Sequence, residues 1–314
     1  MKAFSVFDDF PSSSIALLEQ YGILVVLNPK GKERPSGDAL KSLLREYDIL
    51  FISTAQKMPE EMFEDVNTLK IIGTASSGVD HIHIPADKRH LVKVANAPLA
   101  NRSTVTEHTF ALLLSLRKQL IEGRSTAAQG LTKRAMVGKP VDLYGSTMGV
   151  IGAGGIASTV LRMSKCFGMN RLCWTLHPEN HNDLSEEGVL FVDIDTLLKE
   201  SDIVSVNIPL SEKTRSLITK ERIELMKDTA TFITTSRLEI SDNRALMDKA
   251  RRDPAFSVGM DVDAATIKGF WTTSMNNVIV TPHIGGGTIE SRMRLFNECS
   301  ENVIKIVENE RNNS

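Results

Sequence analysis

Apolar positions along this chain come in short, dense bursts separated by longer amphipathic stretches. "AFSVF" (residues 3–7), "ILVVL" (23–27), "ILFIS" (49–53), "KIIGT" (70–74) and "LVKVAN" (91–96) are rich in β-branched residues and too short for helices. Such runs read as strands buried on both faces. Between them lie segments such as "SGDALKSLLREY" (36–47), where apolar residues recur near every 3.6 positions after a Ser36 or Asp38 start signal. Alternation of this kind predicts a parallel sheet covered by helices on each side.

A helical stretch over 103–117 interrupts the pattern, with looser sequence to about residue 140. The alternation then restarts with "MGVIG", "RLCW", "IVSVNI", "TFITT", "FSVGMDV" and "NVIVT". The economical reading is an α/β protein of two doubly wound parallel-sheet domains. Residues 99–288 form one. Residues 1–98 form the other, completed by residues 289–314 because the last helical stretch, "ESRMRLFNECSENVIKIVENE", returns to it.

Composition narrows the function classes. The 314 residues are 41% hydrophobic and 24% charged, with formal net charge -2. There is no basic excess to neutralise a nucleic-acid backbone, so no nucleic-acid partner is expected. The longest apolar run, "FALLLSL", is too short to span a bilayer, and "MKAFSVFDDF" acquires two acids where a secretory signal needs apolar length. Cys166, Cys173 and Cys299 have no metal-ligand spacing. A cytoplasmic protein without membrane contact or metal is the expectation, with Cys166 and Cys173 filling the second core.

"MGVIGAGGIASTVLRMSKCFGM" runs from a strand into a helix. Gly152, Gly154 and Ala157 occupy the positions of a G-x-G-x-x-G/A fingerprint, continued by Gly155 and Ile156. Gly152 permits the tight turn, Gly154 lets backbone approach a pyrophosphate, and the helix N-terminus faces the anion. An acid that would hold the ribose hydroxyls is expected about 20 residues on. Thr175 stands near that place instead, which leaves NAD and NADP both open.

The chain also resembles the D-isomer-specific 2-hydroxyacid dehydrogenases over nearly its whole length. "NAPLANRSTVTEHTFALLLSLRK" is similar to the family's interdomain helix at Asn96, Pro98, Asn101, Val105, Glu107 and Arg117. "DTLLKESDIVSVNIPLSEKTRSLI" is similar to its block around the cofactor, including Ser201, Asp202, Pro209, Leu210 and Thr214. The resemblance implies a Rossmann NAD(P)-binding domain and a flavodoxin-like substrate domain. It assigns Gly152, Gly154, Gly155, Ile156, Thr175, Pro209, Thr214, Val105 and Asp261 to the cofactor, Asp261 at the nicotinamide carboxamide. Backbone amides around Ala75, Ser76, Ser77 and Gly78 would receive a substrate carboxylate. In "TTSRLEISDNRAL", Arg237 matches the active-site arginine, although Leu238 replaces the usual glycine. In "TPHIGGGT", His283 matches the acid–base histidine.

The implied reaction is hydride transfer between NAD(P)H and a small 2-oxo acid, giving a D-2-hydroxy acid. The developing alkoxide needs a proton, which a histidine of near-neutral pKa can supply. The planar fork of an arginine can hold the carboxylate and polarise the carbonyl. The sequence departs from the family at Thr266, where a glutamate usually pairs with the histidine; Asp263 is the nearby acid. That departure keeps two alternatives in view: a catalytically weak dinucleotide-binding regulator, or a reductase for an atypical anionic, for example phosphonate-bearing, 2-oxo acid. Lys268 is a surface charge or a contact to such a tail, and Trp271 packs or caps the site. His81 and His83, two apart, read as structural. The 103–140 region predicts a homodimer.

Overall fold

The computed structural model describes residues 1–64, 66–262 and 275–312. Two compact units emerge: Met1–Asn101 with Thr288–Ser314, and Arg102–Gly287.

The first unit is built on five parallel strands, β1 (Lys2–Ser5), β2 (Leu24–Leu27), β3 (Ile49–Ile52), β4 (Ile71–Thr74) and β5 (Lys93–Ala95), in the order β2-β1-β3-β4-β5. Every residue of β3 and β4 is buried, as expected for strands with helices on both faces. Helices α1 (Ser12–Gln20) and α2 (Gly37–Glu46) connect the early strands. The long last helix of this unit (Ile289–Asn312) buries Phe296, Ser300, Val303 and Val307, a stripe at helical spacing. Phe296 meets Phe7 and Phe10 edge-on, with ring centroids 4.9 and 4.7 Å apart, and so ties the chain's end to its beginning.

The second unit holds seven parallel strands. They are β6 (Thr147–Ile151), β7 (Asn170–Trp174), β8 (Leu190–Phe191), β9 (Ile203–Val206), β10 (Thr231–Thr234), β11 (Ser257–Asp261) and β12 (Val278–Thr281). Their order is β12-β11-β10-β9-β6-β7-β8, the dinucleotide-binding order with one strand added at an edge. The order reverses between β6 and β9, which opens a crevice at their carboxyl ends. Helix α3 (Arg102–Arg117) packs on β10, β11 and β12, and α5 (Gly155–Cys166) follows β6.

Three features differ from the pattern-based expectation. The stretch after α3 contains a further helix, α4 (Leu120–Ala128), whose start is marked by Gln119 at φ +54° in place of a capping side chain. The two-residue β8 is too short to leave a period. Cys166 is exposed, whereas Cys173 and Cys299 are buried; Cys166 is the last residue of α5, where the helix turns its face outward.

Candidate active site

Gly152 sits at the reversal of strand order, immediately after β6. Its φ of +114° is closed to ordinary side chains, and a Cβ there would lie 2.5 Å from the Asn207 carbonyl oxygen after β9. The Gly152 amide donates to the Trp174 carbonyl at 2.7 Å, and the Cys173 thiol donates to the Gly152 carbonyl at 3.3 Å. Burial pushes the Cys173 thiol up to about 12, so it stays protonated as a donor. The loop is thus clamped by β7 and β9.

Gly154 has the opposite environment. It is the N-cap of α5, and a Cβ built on it meets nothing within 4 Å. Among the described residues no side chain caps α5, and no acid stands in its first turn, so its amide dipoles face open space over Gly154, Gly155 and Ile156. The space and the positive helix end fit a pyrophosphate.

Arg237 follows β10 as the N-cap of a short 3-10 turn, Leu238–Ile240, and is half-buried. Leu238 packs on the apolar core of the unit. Asp261 ends β11 and is 3% exposed. Its Oδ1 accepts the Thr281 hydroxyl at 2.6 Å and the Ile284 amide at 2.9 Å, and its Oδ2 accepts the Gly285 amide at 2.7 Å. The turn it holds carries His283, which is exposed and left-handed at φ +54°. Histidine tolerates this region better than most residues, but the conformation still costs on the order of 1 kcal/mol, which the Asp261 bonds offset.

In the first unit, the turn after β4 is cross-braced. The Ser76 amide donates to Thr74 O at 2.8 Å and the Ser76 hydroxyl to Gly78 O at 2.7 Å. The Ser77 hydroxyl donates to Asn101 Oδ1 at 2.6 Å, and the Asn96 amide donates to Ser77 O at 2.8 Å. Asn96 and Asn101, placed by resemblance with the interdomain helix, therefore hold this turn. Ser76 turns its amide inward, which leaves the amides of Ser77 and Gly78 as the better candidates for an anion. Buried His81 braces the same turn, 3.3 Å from the Thr74 hydroxyl, and His83 is exposed.

The remaining assignments divide by position. Thr175 is half-buried after β7, and beyond it the His177 ring pairs with Glu179 at 3.2 Å. The Thr214 hydroxyl donates to Pro209 O at 2.7 Å and accepts the Ser211 amide at 2.8 Å, so it fastens the Pro209 turn. Val105 is buried on α3. Ser201 and Asp202 precede β9 and lie at the sheet end opposite the glycine turn, where Asp202 accepts the Thr147 amide at 2.9 Å and pairs with Lys227 at 2.8 Å. Their part of the characteristic block is structural. Asp263, Thr266, Lys268 and Trp271 lie outside the described residues. Sequence reasoning missed Asn207 and His108; the latter's Nε2 is 2.9 Å from Thr281 Oγ1. Only the packing of α3 on β12 reveals it.

A family model for the D-isomer specific 2-hydroxyacid dehydrogenase, NAD binding domain, matches residues 110–285. The chain belongs to the D-isomer-specific 2-hydroxyacid dehydrogenases. It is 34% identical over 277 residues to a hydroxypyruvate reductase of Thermotoga maritima, covering 85% of this chain and 87% of that one. It also superimposes on two solved structures. One is a D-lactate dehydrogenase from Aquifex aeolicus complexed with NAD and lactic acid, with a TM-score of 0.82, 28% identity and 98% and 96% of the two chains covered. The other is an acyclic imino acid reductase in complex with NADPH and D-Arg, with a TM-score of 0.88, 26% identity and 98% of each chain covered. As a member of the family the chain is an NAD(P)-dependent oxidoreductase acting between 2-oxo and 2-hydroxy acids.

Proposed function

We propose that this dehydrogenase reduces a small 2-oxo acid to the D-2-hydroxy acid, with His283 as proton donor and Arg237 as the substrate clamp. The turn that presents His283, held open at φ +54° by Asp261, carries this reading. NAD(P)H, when bound, supplies the hydride. Gly154, Gly155 and Ile156 would receive its pyrophosphate, Thr175 would lie toward its ribose, Pro209, Thr214 and Val105 would flank it, and Asp261 would accept from its carboxamide. Arg237 binds the substrate carboxylate and draws electron density toward the carbonyl oxygen. In the first unit, the Ser77 and Gly78 amides of the 75–78 turn are the groups that would receive a substrate carboxylate. His283 gives its proton to the oxygen as charge develops there. Residues 99–288 act as the cofactor domain, and 1–98 with 289–314 as the substrate domain.

The test is kinetic. His283→Ala lowers kcat by about two to four orders of magnitude with dinucleotide affinity nearly intact, while Arg237→Ala also raises KM for the oxo acid. Normal turnover by His283→Ala would make the histidine a turn residue only.

A second reading replaces the C=O bond with C=N. The similarity to an imino acid reductase favours it, as does Thr266 at the position of the family's glutamate, since an iminium substrate brings its own proton. Cofactor oxidation by a 2-oxo acid that appears only when an amine is added would select it.

We also propose a cytoplasmic homodimer. No helix among the described residues is long and apolar enough to cross a membrane. Leu120, Ile121, Leu131, Val137, Val141 and Tyr144 are all exposed within one short stretch of the second unit, apolar side chains of the kind a partner copy would cover.

A further inference from the structure

His108 lies on α3 and faces the last two strands of its sheet. Its Nε2 is 2.9 Å from Thr281 Oγ1 and 3.6 Å from Asp261 Oδ1, beyond hydrogen-bond reach of the carboxylate itself. Thr281 and Asp261 are register partners on adjacent parallel strands. The single hydroxyl proton of Thr281 goes to Asp261 Oδ1, its closest acceptor at 2.6 Å. Nε2 of His108 therefore carries the hydrogen of the next bond and donates to Thr281. The order of donation is His108 to Thr281 to Asp261, and it ends on a carboxylate that also accepts the amides of Ile284 and Gly285. The ring also lies beside that turn, in the space a side chain at residue 285 would need. A Cβ on Gly285 would lie 2.7 Å from Asp261 Oδ2 and 3.1 Å from His108 Cδ2.

We propose that His108 is a positioning residue for His283, acting through Thr281 and Asp261. The inference rests on His283 being the proton donor. The left-handed turn presents the imidazole, and among the described residues Asp261 is the side chain whose hydrogen bonds hold that turn. A carboxylate offers about four acceptor positions, of which three are filled here, so Oδ2 keeps one for the cofactor carboxamide. One side chain then sets both the nicotinamide end of the cofactor site and the acid that completes the reaction. Thr281, itself held by His108, fixes that side chain's rotamer by donating to Oδ1.

The experiment is a double-variant cycle on His108→Ala and Thr281→Val in the full chain. Each single variant should lower kcat about 10- to 100-fold, the penalty of a misplaced catalytic group, while KM for the oxo acid moves less than about threefold. The double variant should be no slower than the slower single, because both cut one chain of bonds. His108→Gln, whose side-chain amide nitrogen can replace Nε2 as donor, should recover most of the rate. Hydrogen exchange at the Ile284 and Gly285 amides should accelerate in both single variants, and ADP-ribose binding by calorimetry should not change. Single variants at full rate beside an inactive His283→Ala, multiplicative losses in the double variant, or no recovery with His108→Gln would each overturn the proposal. An active His283→Ala would overturn the proton-donor reading instead. Amide exchange would then decide by itself whether His108 orders the turn: unchanged exchange overturns that too.

Discussion

The Asn207 carbonyl oxygen lies 2.5 Å from where a Cβ of Gly152 would be, so the loops after β9 and β6 meet backbone to backbone. Gly154, two residues on, has no atom of another described element within 4 Å of its hypothetical Cβ, and its φ of -68° suits any residue. The same substitution should therefore separate two roles. Gly152→Ala should destabilise the fold by about 1–3 kcal/mol or more, through strain and overlap. Gly154→Ala should leave the melting temperature of the free protein near that of the parent and weaken NAD(P)H binding at least tenfold, through the space an anion would use. Thermal unfolding and a fluorescence titration check both. Unchanged cofactor affinity in Gly154→Ala would remove the pyrophosphate from this loop.

Asp202 gives the stability of the second unit an acid limb. Burial alone would raise its carboxyl, but the Lys227 ammonium, the Thr147 amide and the Arg117 charge outweigh burial and hold it below the usual carboxylate range. A lowered folded pKa means stability present above the unfolded value of about 3.9 and lost as pH falls through the folded one. Asp202→Asn should cost roughly 1 kcal/mol near neutrality, discounted for the partial exposure of the pair. The gap in melting temperature from the parent should narrow steadily below about pH 4. A gap that stays constant with pH would mean that the carboxylate's charge contributes nothing.

Cofactor choice should be poorly discriminated. Thr175 neither binds a ribose diol as a carboxylate does nor repels a 2′-phosphate. The ratio of kcat/KM for NADH and NADPH measures this. A preference for NADH above about 1000-fold, roughly 4 kcal/mol, would identify an acid acting in the pocket, with Glu179, paired to His177, the first residue to replace.

Light scattering at micromolar concentration should give the mass of a dimer. Charged replacements at Val137 and Tyr144, which are 81% and 84% exposed, should shift it toward the monomer with little change in secondary structure. A monomeric parent would leave this apolar surface for another partner.

The strand–helix alternation was legible in the sequence because strands buried on both faces must be apolar at every position, as β3 and β4 are. The glycine turn was legible for a similar reason: a φ of +114° against a neighbouring carbonyl leaves glycine little competition at residue 152. The resemblance supplied Arg237, Asp261 and His283 as candidates, because their loops keep local motifs. What it could not separate was support from chemistry. Asp202 shares a motif with Pro209, yet β9 carries them to opposite ends of one sheet, a consequence of strand length and direction. Asn96 and Asn101 read as part of a helix entry and prove to brace the 75–78 turn. His108 and Thr281 are 173 positions apart. Only parallel pairing of β11 with β12, and the packing of α3 across them, brings that histidine to the turn of His283. Local sequence encodes backbone conformation and burial; hydrogen bonds between distant elements depend on register and packing, which no short motif records.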